Sequence, residues 1–211
     1  MAISKLASYI NLSPNYTKMT GKKNKKITIH HVAGNATIEA LGALFEKPAR
    51  QASSNYGIGS DGRIGCYVDE DNRSWCSSSR ANDEQAITIE VANCSGEPDW
   101  KVSDKAMESL IKLCVDICER NGIEELNFTG DATGNLTQHN YFAATGCPGP
   151  YLKSKFQWIA DTVNTQLKNN KTTTNKKVIY RVQVGAFSDR ENAEAFLKKV
   201  KADGYKDAFI S

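Results

Sequence analysis

The chain contains three histidines, His30, His31 and His139, and the last stands eight residues before a cysteine in "QHNYFAATGCPGP" (138–150). A hydrolytic zinc centre needs three protein ligands and one open position for water, and two histidines with one cysteine are an established choice. His139 and Cys147 supply two such ligands, and "KITIHHV" (26–32) supplies His30 or His31. Successive side chains of a strand point to opposite faces, so one of the pair faces the site and the other faces away. The Gly146-Cys147-Pro148-Gly149 turn fixes where the thiolate points. The same residues admit a second chemistry, with Cys147 as nucleophile and His139 as its base. A thiolate before proline in a rigid turn is less free to attack. A bland reading also stands: two partly buried strand histidines and a Gly-Cys-Pro turn.

These residues need a frame. "KITIHHV" (26–32) and "AITIEVAN" (86–93) are β-branched and apolar, which predicts buried strands. "NYGIGSDGRIGCYV" (55–68) predicts two strands joined at Ser-Asp-Gly. Thr37 as N-cap and Ile38, Leu41, Leu44 and Phe45 on one face predict a helix over 37–47. Met107, Leu110, Ile111, Cys114, Val115 and Cys118 predict a longer helix over 103–122, with Gly122 as its terminating glycine. A third helix is expected over 154–167, and residues 1–26 read as irregular or partly helical. "NNKTTTNKK" (169–177) has no apolar residue and reads as a linker. The 34 residues after it read strand, turn, helix, strand. Ser188 and Glu191 form a capping-box pattern there, and the segment is too short to bury a good core alone.

Bulk properties narrow the partners. With 211 residues there is room for one average domain and a small one. A net charge of +3 is too weak to argue for nucleic acid, and no apolar run approaches a membrane span. The lysines at 18–26 and 168–177 read as solvated surface. The N-terminus lacks a basic segment followed by an apolar one, so the expectation is synthesis in the cytoplasm without a signal peptide. The six cysteines are then expected to stay reduced, with Cys114 and Cys118 as buried helix residues.

"ITIHHVAG", "NYGIGSDGRI", "AITIEVAN" and "QHNYFAATGCPGP", in this order, resemble the zinc-dependent N-acetylmuramoyl-L-alanine amidases. This amidase-2 family includes phage endolysins, bacterial autolysins and the peptidoglycan recognition proteins. The likeness covers roughly 20–165 and implies an α/β fold, a central mixed β-sheet flanked by helices with a zinc cleft. It implies His30, His139 and Cys147 as ligands of Zn2+, leaves His31 outside the metal set, and implies Glu90 as the catalytic glutamate. The context of Glu90 agrees, because a carboxylate between Ile89 and Val91 on a buried strand is costly without a partner or a task. The bland alternative is a strand-edge glutamate reaching solvent. Three departures are visible. Thr145 stands where many bacterial members carry lysine, so a hydroxyl would assist a developing oxyanion without a charge. Ser54 stands where catalytic recognition proteins use tyrosine, with Tyr56 two residues on. Trp75-Cys76 replaces the Trp-His of many relatives, and Cys76 receives no role.

The tail, "YRVQVGAFSDRENAEAFLKKVKADGYKDAFIS", looks like the first half of a SPOR-type peptidoglycan-binding module. The organisation expected is an amidase domain (1–168), a linker (169–177) and a small βαβ half module (178–211) that could pair with a second copy. The function implied is a peptidoglycan hydrolase, an endolysin or prophage lysin, cutting between N-acetylmuramic acid and L-alanine and acting on the wall after release. The expected partner is bacterial peptidoglycan, with neither nucleic acid nor membrane. The competing reading is a binding-only recognition module. Such relatives lose metal ligands, commonly the cysteine, and this chain keeps all three.

Overall fold

Eight strands and six helices organise the residues described by the computed structural model, 2–174 and 182–210. The strands are β1 (Tyr9–Ile10), β2 (Tyr16–Thr17), β3 (Lys26–His31), β4 (Tyr56–Ile58), β5 (Ile64–Cys66), β6 (Arg73–Ser74), β7 (Ala86–Val91) and β8 (Leu136–Gln138). The helices are α1 (Ile38–Phe45), α2 (Arg80–Asp83), α3 (Asp104–Asn121), α4 (Gly149–Lys153), α5 (Phe156–Thr174) and α6 (Arg190–Ala202). Six strands form one mixed sheet in the order β1-β5-β4-β7-β3-β8, and β2 pairs with β6 in a separate two-stranded sheet. Four adjacent strands, β4, β7, β3 and β8, run parallel. β5 reverses direction against β4 through the expected hairpin. The chain divides into two units, 1–173 and 174–211.

The central strands read as continuous β-branched runs because both faces of a parallel sheet are covered. Ile27, Ile29, Ile87 and Ile89 are fully buried, each contributing about 1.5–3 kcal/mol by burial. α3 lays its apolar stripe, Leu110, Leu113, Cys114, Ile117 and Cys118, against this core. Ser103 caps its start through Ala106 N–H, and Gly122 ends it in the left-handed region at φ 68°. Polar core residues add specificity: the hydroxyls of Ser74 and Thr88 are 2.7 Å apart, and Thr88 N–H donates to Asn55 Oδ1.

Four expectations change in the structure. The N-terminal segment holds the short strands β1 and β2, whose ladders depend on partners far along the chain. α5 continues to Thr174 through the first part of the expected linker, where Asn170 Nδ2 donates to Glu119 of α3 at 2.8 Å; residues 175–177 lie outside the described residues. In the second unit α6 is present, capped by Asp189 rather than Ser188. The strands expected around it are not formed at 182–187 or 206–210, because an isolated strand has no ladder partner. Residues 178–181 of the first of these strands lie outside the described residues. Among the described residues no helix is long and apolar enough to cross a membrane.

Candidate metal centre

The carboxyl ends of three neighbouring parallel strands converge on one cleft. β3 ends with His30 and His31, β7 with Glu90 and Val91, and β8 runs directly into His139. Register pairs His30 with Glu90. In open α/β sheets this edge is where ligands bind, because side chains from separate strands meet there while the loops remain adaptable.

His30 is fully buried, and its ring centroid is 4.6 Å from that of His139. The loop after His139 returns Cys147 to the same place. His31 backbone N–H donates to Cys147 Sγ at 3.3 Å, and Cys147 N–H donates to Thr145 Oγ1 at 3.2 Å. Gly149 lets this loop approach: its φ is +78°, and a Cβ there would lie 2.8 Å from His31 Nδ1. The ligand atoms of His30, His139 and Cys147 all lie within 4.8 Å of one another. His31 is outside this group; it lines the same cleft and packs edge-on against Trp100 at 5.5 Å.

The donor set suits a cation. Both ring nitrogens of His30, Nε2 of His139 and Oε2 of Glu90 are buried without a hydrogen-bond partner. Buried polar atoms are normally satisfied, so these unpartnered atoms beside Cys147 mark a place suited to a ligand. Burial holds His30 well below the ordinary histidine range, helped by its histidine neighbours, and burial also lowers His139. Both rings are therefore neutral, the form that ligates. Burial and the Glu90 charge push the Cys147 thiol up to about 12 against the His31 N–H. A divalent cation supplies the opposing charge that such a thiolate lacks. Zinc fits the imidazole and thiolate donors.

Glu90 lies at the floor of the cleft, where burial pushes its carboxyl up to about 8 against the positive charge of Arg50 and the Cys76 thiol. The cleft has a volume of about 700 Å³; Leu41, Leu44 and Phe45 line it together with Trp100, and Thr145 lies at its rim. Sequence reasoning missed Arg50 and Trp100. Arg50 sits just after a Pro48 turn without a motif, and Trp100 enters from a loop by adopting φ 51°. Tyr56 is remote from this chemistry: its hydroxyl donates to Glu70 Oε1 at 2.5 Å and accepts from Ser4 N–H. Ser54 is buried and its hydroxyl donates to Tyr56 O, so neither residue provides a tyrosine at the site.

Residues 20–150 match the N-acetylmuramoyl-L-alanine amidase family, Amidase_2. The chain belongs to that family. Membership makes it a hydrolase of the N-acetylmuramoyl-L-alanine amidase class. Residues 154–211 match the SPOR domain, which therefore overlaps α5 and begins earlier than the expected boundary at 178. Solved structures share the fold. The Staphylococcus aureus hydrolase AmiA, solved in complex with its ligand, is 16% identical, with a TM-score of 0.63 over 82% of this chain and 87% of that one. A mutant endolysin from Bacillus subtilis is 18% identical, with a TM-score of 0.55 over 74% of this chain and 97% of the other. AmpD, as its selenomethionine derivative, is 19% identical, with a TM-score of 0.55 over 75% and 96%. No curated protein matches the chain.

Proposed function

We propose that this amidase is a zinc enzyme that cuts the amide between the lactyl group of N-acetylmuramic acid and the L-alanine of the stem peptide. The observation that carries the reading is the convergence of unpartnered His30, His139 and Glu90 atoms with Cys147 at the strand ends. His30, His139 and Cys147 would hold the ion. When bound, zinc supplies Lewis acidity and a more acidic water. Glu90 takes a proton from the attacking water on its unpartnered Oε2 and returns it to the leaving alanine nitrogen. Its raised affinity for protons suits both halves of this task. Thr145 Oγ1 is engaged as acceptor by Cys147 N–H, which leaves its own O–H proton to donate to oxygen developing charge at the cleft rim. Cys147 Sγ lies with the ligand atoms of both His30 and His139 rather than beside a single base, so the ligand role is favoured over the cysteine-peptidase alternative.

The biological setting proposed is a phage or prophage lysin acting on bacterial peptidoglycan. The SPOR-like segment supports wall retention, and pairing of that segment with a second copy is part of the same proposal. Glu90→Gln tests the core of the reading. It should lower kcat by about 10²–10⁴ while the zinc content stays at one ion per chain. Full activity in E90Q would sink it.

A further inference from the structure

Two ligand sets overlap on one imidazole. Besides His30, His139 and Cys147, the ligand atoms of His30, Cys76 and Glu90 also lie within 4.8 Å of one another. Cys76 Sγ is 3.9 Å from Glu90 Oε1, whose partner oxygen Oε2 is unengaged. Both ring nitrogens of His30 lack a partner, so the ring satisfies neither neighbour by hydrogen bonding.

The position of Cys76 is built into the fold. The backbone N–H groups of Cys76 and Ser77 both donate to Oδ2 of Asp83, each at 3.1 Å, and Ser77 Oγ donates to Asp83 Oδ1 at 2.6 Å. Asp83 is itself buried on α2. This carboxylate clamps the turn after β6 and holds the thiol against Glu90.

We propose that His30, Cys76 and Glu90 form a second position for a borderline divalent cation such as Zn2+ or Co2+. It excludes the first position because both use His30. The donor chemistry is one imidazole nitrogen, one thiolate and one carboxylate, all of which these ions accept. Binding releases to solvent the Cys76 thiol proton and, where the Glu90 carboxyl carries one, that proton too. Thiolate and carboxylate then balance both charges of the ion, whereas the first set brings one anionic ligand. The second position also occupies Glu90, so an ion there leaves the site without its general base. Cys76 thereby makes the catalytic cleft a two-position metal site with one non-productive register. The inference rests on His30 facing the cleft, as in the proposed function.

The test uses the full chain and Co2+ alone as the probe. Cys147→Ala breaks the first set and leaves the second intact. The protein C147A should bind one cobalt ion with a thiolate-to-cobalt charge-transfer band in the near ultraviolet. Adding Cys76→Ala in that background should abolish the band and weaken cobalt at least tenfold. Absence of the band in C147A, or unchanged affinity in the double variant, would overturn the proposal. Where C147A does not fold, Cys147→Ser with and without Cys76→Ala gives the same comparison. Cobalt binding by C76A alone, which keeps His30, His139 and Cys147, reads the first set separately. Failure of one set is thus distinguishable from failure of the other.

Discussion

Tyr56→Phe separates a structural tyrosine from a catalytic one. In the native protein the Tyr56 hydroxyl donates to fully buried Glu70 and accepts from Ser4 N–H at 2.8 Å. Glu70 keeps further partners, two guanidinium bonds from Arg120 at 2.8 and 2.6 Å and one from Asn121 at 3.2 Å. Removing the hydroxyl therefore leaves Glu70 paired with Arg120 and Asn121, costing one hydrogen bond to an ion-paired carboxyl, about 1.5–3 kcal/mol. It also orphans the Ser4 N–H, for about 1–3 kcal/mol more, reduced where water reaches the vacated space. We expect a net loss of about 3 kcal/mol, equivalent to roughly 6–12 °C in Tm for a domain of this size. Urea and thermal unfolding of wild type and Y56F measure it. Amide cleavage per folded molecule should be unchanged, because the tyrosine lies away from the cleft. An unchanged Tm, or a lost kcat at full stability, would refute the reasoning.

Further outcomes follow from the site and the core. Thr145→Val should lower kcat about tenfold with little change in KM, a loss of about 1.4 kcal/mol of transition-state stabilisation, read by initial rates on soluble muropeptide. Gly149→Ala places a side chain at φ +78° and within 2.8 Å of His31, so the Cys147 loop must shift. Zinc affinity measured against a chromogenic chelator should fall about 10–100-fold. Burial pushes the thiols of Cys66 and Cys118 up to about 12 from an ordinary value of 9.0. The stability from keeping each protonated is complete below pH 9 and is lost between pH 9 and 12, about 1.4 kcal/mol per thiol at pH 10. Urea midpoints near pH 8 and pH 10 should show this decline, and the double alanine variant should show less of it.

The candidate site was legible in the sequence because its parts are local signals. The strand runs carrying His30 and Glu90 and the Gly-Cys-Pro loop each announce themselves within a dozen residues, and the sheet register then brings them together. The long helix α3 was legible through its apolar spacing and its Ser103 and Gly122 ends. What escaped depends on distant partners. β1 and β2 are two residues each and exist only through pairing with β5 and β6. Helix α5 runs past its last core residue, Leu167, through polar residues whose anchor is Glu119 on another helix. Cys76 received no role because its meaning lies in the Asp83 clamp and the proximity of Glu90, neither of which is written in Trp75-Cys76 itself. The strands expected around α6 carried the right residue types, yet β propensity without a neighbouring strand builds no ladder.

The most direct measurement is bond counting on purified bacterial walls. Newly exposed alanine amino groups and newly formed reducing sugar ends are followed together, with and without a zinc chelator. The account predicts rising amino groups, no new reducing ends, arrest on chelation and recovery when zinc is restored. Reducing ends in place of amines, or amines released at full rate by metal-free protein, would contradict it.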